Sequence, residues 1–358
     1  MKAVPAISID TFFACSLMVL LVLSAMAATA SLLYQPISNS FGNEAFTRYG
    51  EIAKYMLLNT GEPADWGKNS QTFPEEFGLA DVEAANPYTL DIDKVSRLNG
   101  ENLHALSYAQ IYTSLKIPDI AFRIEIKPLF ETVINLTATY GGENETTYEF
   151  EIETVRSGVN VPAELRLYTI AESLLQNLGA YSSDGEIRLN VTIPNSVNGP
   201  ALLVVLAKSK YNAKIVSFAV YAFAHTPQNP MSKGSFLRLS PLNHTLTVVP
   251  NNPDIVLLDV YALTFNNSST LEKTTSQNQA VTFNIPKFLD ASPIMLVATG
   301  RNSTKFFVEW TVYPQIPVAI GISPTDSISL ADVYAYTYLV TINSALYKCT
   351  VWLGGPKQ

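Results

Sequence analysis

Basic residues, histidine and cysteine are scarce in this chain, and each shortage removes a class of function. Of 358 residues only 23 are Lys or Arg, against 31 Asp or Glu, for a formal net charge of −8. No basic stripe is available to neutralise phosphates, which argues against a nucleic-acid partner. The three histidines, His104, His225 and His244, are scattered, with no His-x-x-x-His pair for zinc. Gly-x-Ser-x-Gly, a phosphate-binding glycine loop and Cys-x-x-Cys are all missing. These absences point away from an enzyme and away from any cofactor or metal. A secreted hydrolase survives only as a triad dispersed along the chain. The two cysteines, Cys15 and Cys349, belong to an apolar N-terminal stretch and to a C-terminal strand, so no intramolecular disulfide is expected. Cys349 reads as a small buried hydrophobe.

Charge is missing altogether from Thr11 to Asn43. A helix over Phe12–Leu33 would span roughly 33 Å, the thickness of a bilayer hydrocarbon core. Three readings stay open for it. Lys2, the apolar core and Ala25-Met-Ala27 or Ala28-Thr-Ala30 fit a cleaved signal peptide. Lys2 also suits an uncleaved anchor with the rest of the chain outside. Third, Ala6-Ile-Ser-Ile-Asp10 followed by Thr-Phe-Phe-Ala resembles the start of archaeal type IV pilin-like proteins. In that family a short basic leader is removed and an acidic residue stands five positions into the mature chain. With Ala6 as first residue, Asp10 takes that place; Pro5 departs from the Gly or Ala the family carries before the cut. Read without the resemblance, Asp10 is an interfacial residue or an N-cap.

Phe46, Tyr49, Ala53, Met56 and Leu57 recur at helical spacing, with Asn43 as N-cap and Gly61 and Pro63 as stop signals. Pro36 is expected to interrupt any longer helix. Asp91 is expected to cap a short helix burying Val95 and Leu98, and Asn102 to open another ending before Pro118. Asp91 and Asp93 lack a third carboxylate or histidine and read as a cap plus pairing with Lys94 or Arg97 rather than a metal pair. The Gly61-Glu-Pro-Ala-Asp-Trp-Gly67 turn, Phe77-Gly-Leu-Ala80 and Leu90–Asn99 extend the pilin-like resemblance over the first third of the chain.

From Phe122 the apolar period becomes two. Phe122, Ile124 and Ile126, then Tyr148, Phe150 and Ile152, then Ile187, Leu189, Val191 and Ile193 alternate with polar residues, as half-buried strands do. Arg188–Tyr221 aligns without gaps on Ala280–Tyr313, an offset of 280 − 188 = 92 residues. It superposes Ile193-Pro194 on Ile285-Pro286, Leu202–Val205 on Ile294–Val297, and Val220-Tyr221 on Val312-Tyr313. Leu165–Tyr168 matches Leu258–Tyr261 after a one-residue shift. Such a duplication predicts two tandem immunoglobulin-like antiparallel sandwiches. The expected fold class is mainly β with an N-terminal helical part. Its divisions are a leader and transmembrane helix over 1–35, a helical neck over 36–118, a first sandwich over 119–224, a linker over 225–234 and a second sandwich over 235–358. The last strands, Val333–Ile342 and Leu346–Trp352, are assigned to the second sandwich.

Asn-x-Ser/Thr occurs at Asn135, Asn144, Asn190, Asn243, Asn266, Asn267 and Asn302. Asn135 and Asn190 fall on outward strand positions and the others in expected turns, where a glycan disturbs no core. Tyr334, Tyr336 and Tyr338 share one strand face, either as a sugar-stacking platform or as core; Phe306, Phe307, Trp310 and Tyr313 pose the same choice. The pattern describes a non-enzymatic cell-surface structural or presenting protein, single-pass, with its C-terminal ectodomain outside the cell. Its partners would be the membrane through residues 12–33, and further copies or other envelope proteins. The alternative is an adhesin-like module for extracellular glycan or peptide.

Overall fold

The computed structural model describes the backbone of residues 9–226, 228–277, 280–288, 290, 293–323 and 330–356; the side chains of 9–15, 27–43, 276–277, 330–332 and 356 are outside the description. The protein is mainly β. Three helices come first: Ile9–Leu58 (α1), Ile92–Ser96 (α2) and Tyr108–Leu115 (α3). The strands follow as Ala121–Pro128 (β1), Glu131–Gly141 (β2), Glu145–Arg156 (β3), Val159–Asn160 (β4), Ala163–Ala171 (β5), Leu174–Ser183 (β6), Glu186–Pro194 (β7), Ala201–Ser209 (β8), Asn212–Phe223 (β9) and Leu237–Leu242 (β10). They continue as Thr245–Pro250 (β11), Ile255–Leu263 (β12), Ser268–Thr270 (β13), Lys273–Gln277 (β14), Ala280–Asn284 (β15), Ile294–Asn302 (β16), Lys305–Tyr313 (β17), Val318–Gly321 (β18), Leu330–Ile342 (β19) and Ala345–Pro356 (β20).

Helix α1 runs unbroken through both Pro36 and Asn43, so neither residue breaks or caps it as expected. A proline removes one hydrogen bond, and the flanking turns here stay helical. Asp10 lies in its first turn, with its side chain outside the described residues. Among the described residues no helix is long and apolar enough to cross a membrane.

Two sandwiches share one topology. In the first, β2-β3-β7 faces β6-β5-β8-β9; in the second, β10-β11-β15 faces β13-β12-β16-β17. Each encloses its own core, with Phe150, Ile152, Leu165, Leu203 and Val205 in the first and Leu246, Val248, Ala262, Leu296 and Phe307 in the second. A third apolar layer joins them: Tyr168, Ile170, Leu202, Val204 and Leu206 pack on Tyr261, Leu263, Met295, Val297 and Val312. Sheets covered on both faces need apolar residues at every position. That accounts for the continuous run Ala201–Ala207, buried throughout.

The duplicated strands correct the sequence alignment at one point. Ile215 and Tyr221 of β9 correspond to Phe307 and Tyr313 of β17 at the offset of 92, all facing their own cores. Across the hairpins, however, Val205 pairs with Ala219 and Leu296 with Thr311. The separations are 219 − 205 = 14 and 311 − 296 = 15, so Leu203 and Val205 correspond to Ile294 and Leu296, an offset of 91. The ungapped match had set them on Met295 and Val297, which face the opposite way, because a one-residue slip exchanges the faces of a strand.

The terminal strands also depart from expectation. β1 does not join the first sandwich, and β19 and β20 do not complete the second. With β18 they form a third, antiparallel sheet in the order β18-β1-β20-β19, which continues into β9-β8-β5-β6 through one parallel bridge, Leu346 to Ile215. Its inner face carries Phe122, Ile124, Ile126, Tyr336, Val340, Tyr347, Cys349 and Val351, all buried. The neck closes over it: Tyr108 stacks on Phe122 at 4.8 Å and Tyr88 on Tyr338 at 5.3 Å, and Thr341 exchanges backbone bonds of 2.9 Å with Tyr88 and Leu90. Alternation marks β1 as half-buried; part of what covers its buried face lies in the neck.

The layer between the sandwiches couples their stability. The wild type is expected to unfold in urea as one transition across residues 121–356, followed alike by tryptophan fluorescence and far-ultraviolet circular dichroism. Met295→Ala, which empties a fully buried site in that layer, is expected to cost about 2–5 kcal/mol. Two separated wild-type transitions would show the sandwiches to be independent.

Candidate functional site

Two places concentrate side-chain chemistry: the short helix α2 and a cleft beside the third sheet. Asp91 caps α2, its carboxylate accepting from Asp93 N and Lys94 N at 2.9 Å each. Asp93 turns to the second sandwich and accepts from the Tyr313 hydroxyl at 2.6 Å and Asn243 N at 2.7 Å. Lys94 and Arg97 are fully buried. The Lys94 ammonium donates to Thr60 O and Ala80 O at 2.8 Å, and Arg97 donates to the carbonyls of Trp66, Asn69, Thr72 and His104. Gly67 is required there, since an added Cβ would meet Lys94 N at 2.7 Å.

Burial acts on the ionisations of Asp93, Lys94, Arg97 and Tyr313. It pushes the Asp93 carboxyl up to about 6, against the opposing hydrogen bonds of Tyr313 and Asn243. It lowers Lys94 and Arg97 and raises Tyr313. Asp91 and Asp93 are turned to different partners, and among the described residues no three His, Cys, Asp or Glu gather to hold a metal. Asn102, expected to open a helix, is instead a buried bracket: it donates to Gln315 Oε1 at 2.6 Å and Pro241 O at 3.2 Å and accepts from Ser240 Oγ at 2.8 Å. The next helix begins later, at Ser107, through a capping box with Gln110.

Of the sequon asparagines only Asn243 touches either place, through its backbone N–H on Asp93. Asn135 and Asn190 point outward from β2 and β7; Asn144, Asn243, Asn266 and Asn267 sit exposed in turns; Asn302 is half-buried at the end of β16. The tyrosine stripe faces inward: Tyr334, Tyr336 and Tyr338 pair with Leu353, Val351 and Cys349. Phe307 and Tyr313 belong to the second core, while Trp310 lies against the layer between sandwiches. His225 is buried, bonded to the Tyr148 hydroxyl at 2.8 Å and Pro194 O at 3.1 Å. Burial lowers the pKa of His104 and His244. The three histidines share no site. Cys349 lies buried in β20, its thiol pushed up to about 12 by desolvation.

The cleft encloses about 610 Å³. Lys127, Lys348, Thr337 and Leu339 line it from the outer face of the third sheet, and Arg156 and Glu131 from the first sandwich. Lys127 and Lys348 stand directly opposite one another on β1 and β20. Sequence reasoning missed this cleft because its two lysines are 348 − 127 = 221 residues apart, and only strand pairing brings them together.

Asp93 supplies a measurable signature. Its native pKa of about 6 lies above the 3.8 of an ordinary aspartate. The native state therefore holds its proton more tightly, and this contribution to stability is greatest below pH 4, is lost between about pH 4 and 6, and is flat above. Asp93→Asn keeps an acceptor for Tyr313 and Asn243 without the charge. The stability difference between variant and wild type, from urea titrations, is expected to swing in favour of Asn by roughly 3 kcal/mol across that window. A flat difference would place Asp93 in an ordinary environment.

No family model matches the chain, and no curated protein matches it. Among solved structures it is similar to human GIVD cytosolic phospholipase A2 at 10% identity, over 66% of this chain and 33% of that one, with a TM-score of 0.14. A likeness at that score carries no argument about fold or activity, which leaves the chain's own geometry to define its sites.

Proposed function

We propose that this chain is a non-enzymatic presenting protein of the cell surface, anchored by its N-terminal helix and displaying two immunoglobulin-like modules outside the cell. The observation that carries the reading is the apolar stretch of α1. Leu17, Met18, Val19, Leu20, Leu21, Val22, Leu23 and Met26 are each more than half exposed, on consecutive positions and so on every side of the helix. A helix apolar all round has its partner outside its own chain, in lipid or in other copies of itself. The sandwiches, by contrast, bury their apolar residues and leave sequon asparagines at the surface. The sheet orders β2-β3-β7 and β6-β5-β8-β9 support the immunoglobulin-like reading. The pilin-like resemblance adds assembly through the same helix as one form of display. A second reading, an adhesin-like binding module, is favoured by the cleft beside the third sheet.

Peptide mass spectrometry of the N-terminus, on protein from native membranes, tests this. The expected result is a membrane-associated chain that retains residues 12–33. A mature start at Val4 or Ala6 would add pilin-type processing, and an intact Met1 would leave a simple anchor. A start at Ala28 or Ser31 would mean a released protein and overturn the anchored reading.

A further inference from the structure

Lys127 and Lys348 are an unfavourable pairing for an empty surface. Residues directly opposite on antiparallel strands hold their Cβ atoms about 4.5–5.5 Å apart, and like charges there destabilise the sheet. The carboxylate nearest Lys127 is Glu125 at 4.0 Å, already bonded to Arg123 at 2.8 Å. Among the described residues, neither Lys348 nor Arg156 forms an ion pair. Three cations therefore converge on one cleft in a chain with 31 acidic and only 23 basic residues. Among the described residues, Glu131 is the one carboxylate lining it.

We infer that this cleft binds an anionic oligosaccharide. The volume of about 610 Å³ lies within the roughly 300–1,000 Å³ of small-ligand sites. Its lining alternates cations with the Thr337 and Ser157 hydroxyls and the apolar Leu129 and Leu339. A sugar chain presents that mixture of acid groups, hydroxyls and C–H faces. An acid group between Lys127 and Lys348 would turn their repulsion into two charge-assisted hydrogen bonds, with Arg156 taking a second one by its planar fork. The inference rests on the cleft alone and holds whether or not the chain is anchored.

Isothermal titration of the full-length chain tests it, with hexagalacturonate as the carboxylate probe, a heparin hexasaccharide as the sulfate probe and maltohexaose as the neutral one. Binding of at least one acidic sugar, no binding of maltohexaose, and weakening as NaCl rises from about 50 to 300 mM are expected. The stronger acidic probe identifies the anionic group. Arg156→Gln, at an exposed position, is expected to weaken binding about tenfold. Lys348→Thr is expected to abolish binding while raising the melting temperature of the free protein, since it removes the like-charge pair. A merely structural Lys348 would give the opposite shift. No binding of either acidic sugar, equal binding of maltohexaose or hexaglutamate, or binding indifferent to Arg156→Gln would overturn the inference.

Discussion

Two buried cations, neither bonded to a carboxylate among the described residues, hold the neck together. Lys94 lies in a helix of five residues and Arg97 is that helix's C-cap, and both are withdrawn from water. Burying a charge is costly unless its hydrogen bonds are replaced. Here most are replaced by backbone carbonyls from residues 60–80 and from His104, while Arg97 Nη2 is buried without a partner among the described residues. Those loops have no ladder of their own, so their inward carbonyls need donors from elsewhere. One ammonium and one guanidinium supply them, and the loops take their path around the two side chains. Trp66 completes the arrangement, lying within 6 Å of both cations while its indole N–H donates to Gly78 O at 3.2 Å.

The opposite side of α2 reaches the second sandwich. Asp93 meets Tyr313 and Asn243, Ser96 Oγ accepts from Gln315 N at 3.3 Å, and Asn102 brackets Gln315 and Pro241. Residues 88–108 thus bond to the second sandwich through Asp93, Ser96 and Asn102 and pack on the third sheet through Tyr88 and Tyr108. The layer between the sandwiches is pinned at its margins by Tyr168 to Thr264 O at 2.9 Å, Arg166 to Phe265 O at 2.9 Å and Lys208 to Asp290 at 2.6 Å. Glu309 fixes the linker from within, accepting from Gly234 N at 2.7 Å and Phe236 N at 3.0 Å.

What the sequence made legible follows from which patterns carry information. Alternation located β1, β3 and β7 because one face of each is buried and the other is not. It could not identify what covers the buried face, so β1, β19 and β20 were credited to neighbours in the chain rather than to each other. β8 and β16 are apolar on both faces, and a run without alternation contains nothing to fix its parity. That is where the duplicated alignment slipped by one residue. The Asp91 cap was readable because capping is local, within three residues. Asn102 was misread because its partners, Pro241 and Gln315, lie more than 130 residues away. The cleft was invisible for the same reason.

The cleft gains from being assembled between rigid parts. Its floor belongs to the third sheet and its wall to the first sandwich, and only Leu129 and Phe130 separate β1 from β2. Phe130 is itself buried in the first core, so the short connection cannot swing. The bridge from Leu346 to Ile215 ties the same two parts a second time. A site held at both ends loses little freedom when a ligand arrives, and less of the interaction energy is spent on ordering. The same rigidity fixes the unfavourable opposition of Lys127 and Lys348, because neither strand can slide without moving a core. A frame that stiff keeps the two lysine backbones opposed, and an anion between their ammonium groups would offset the repulsion.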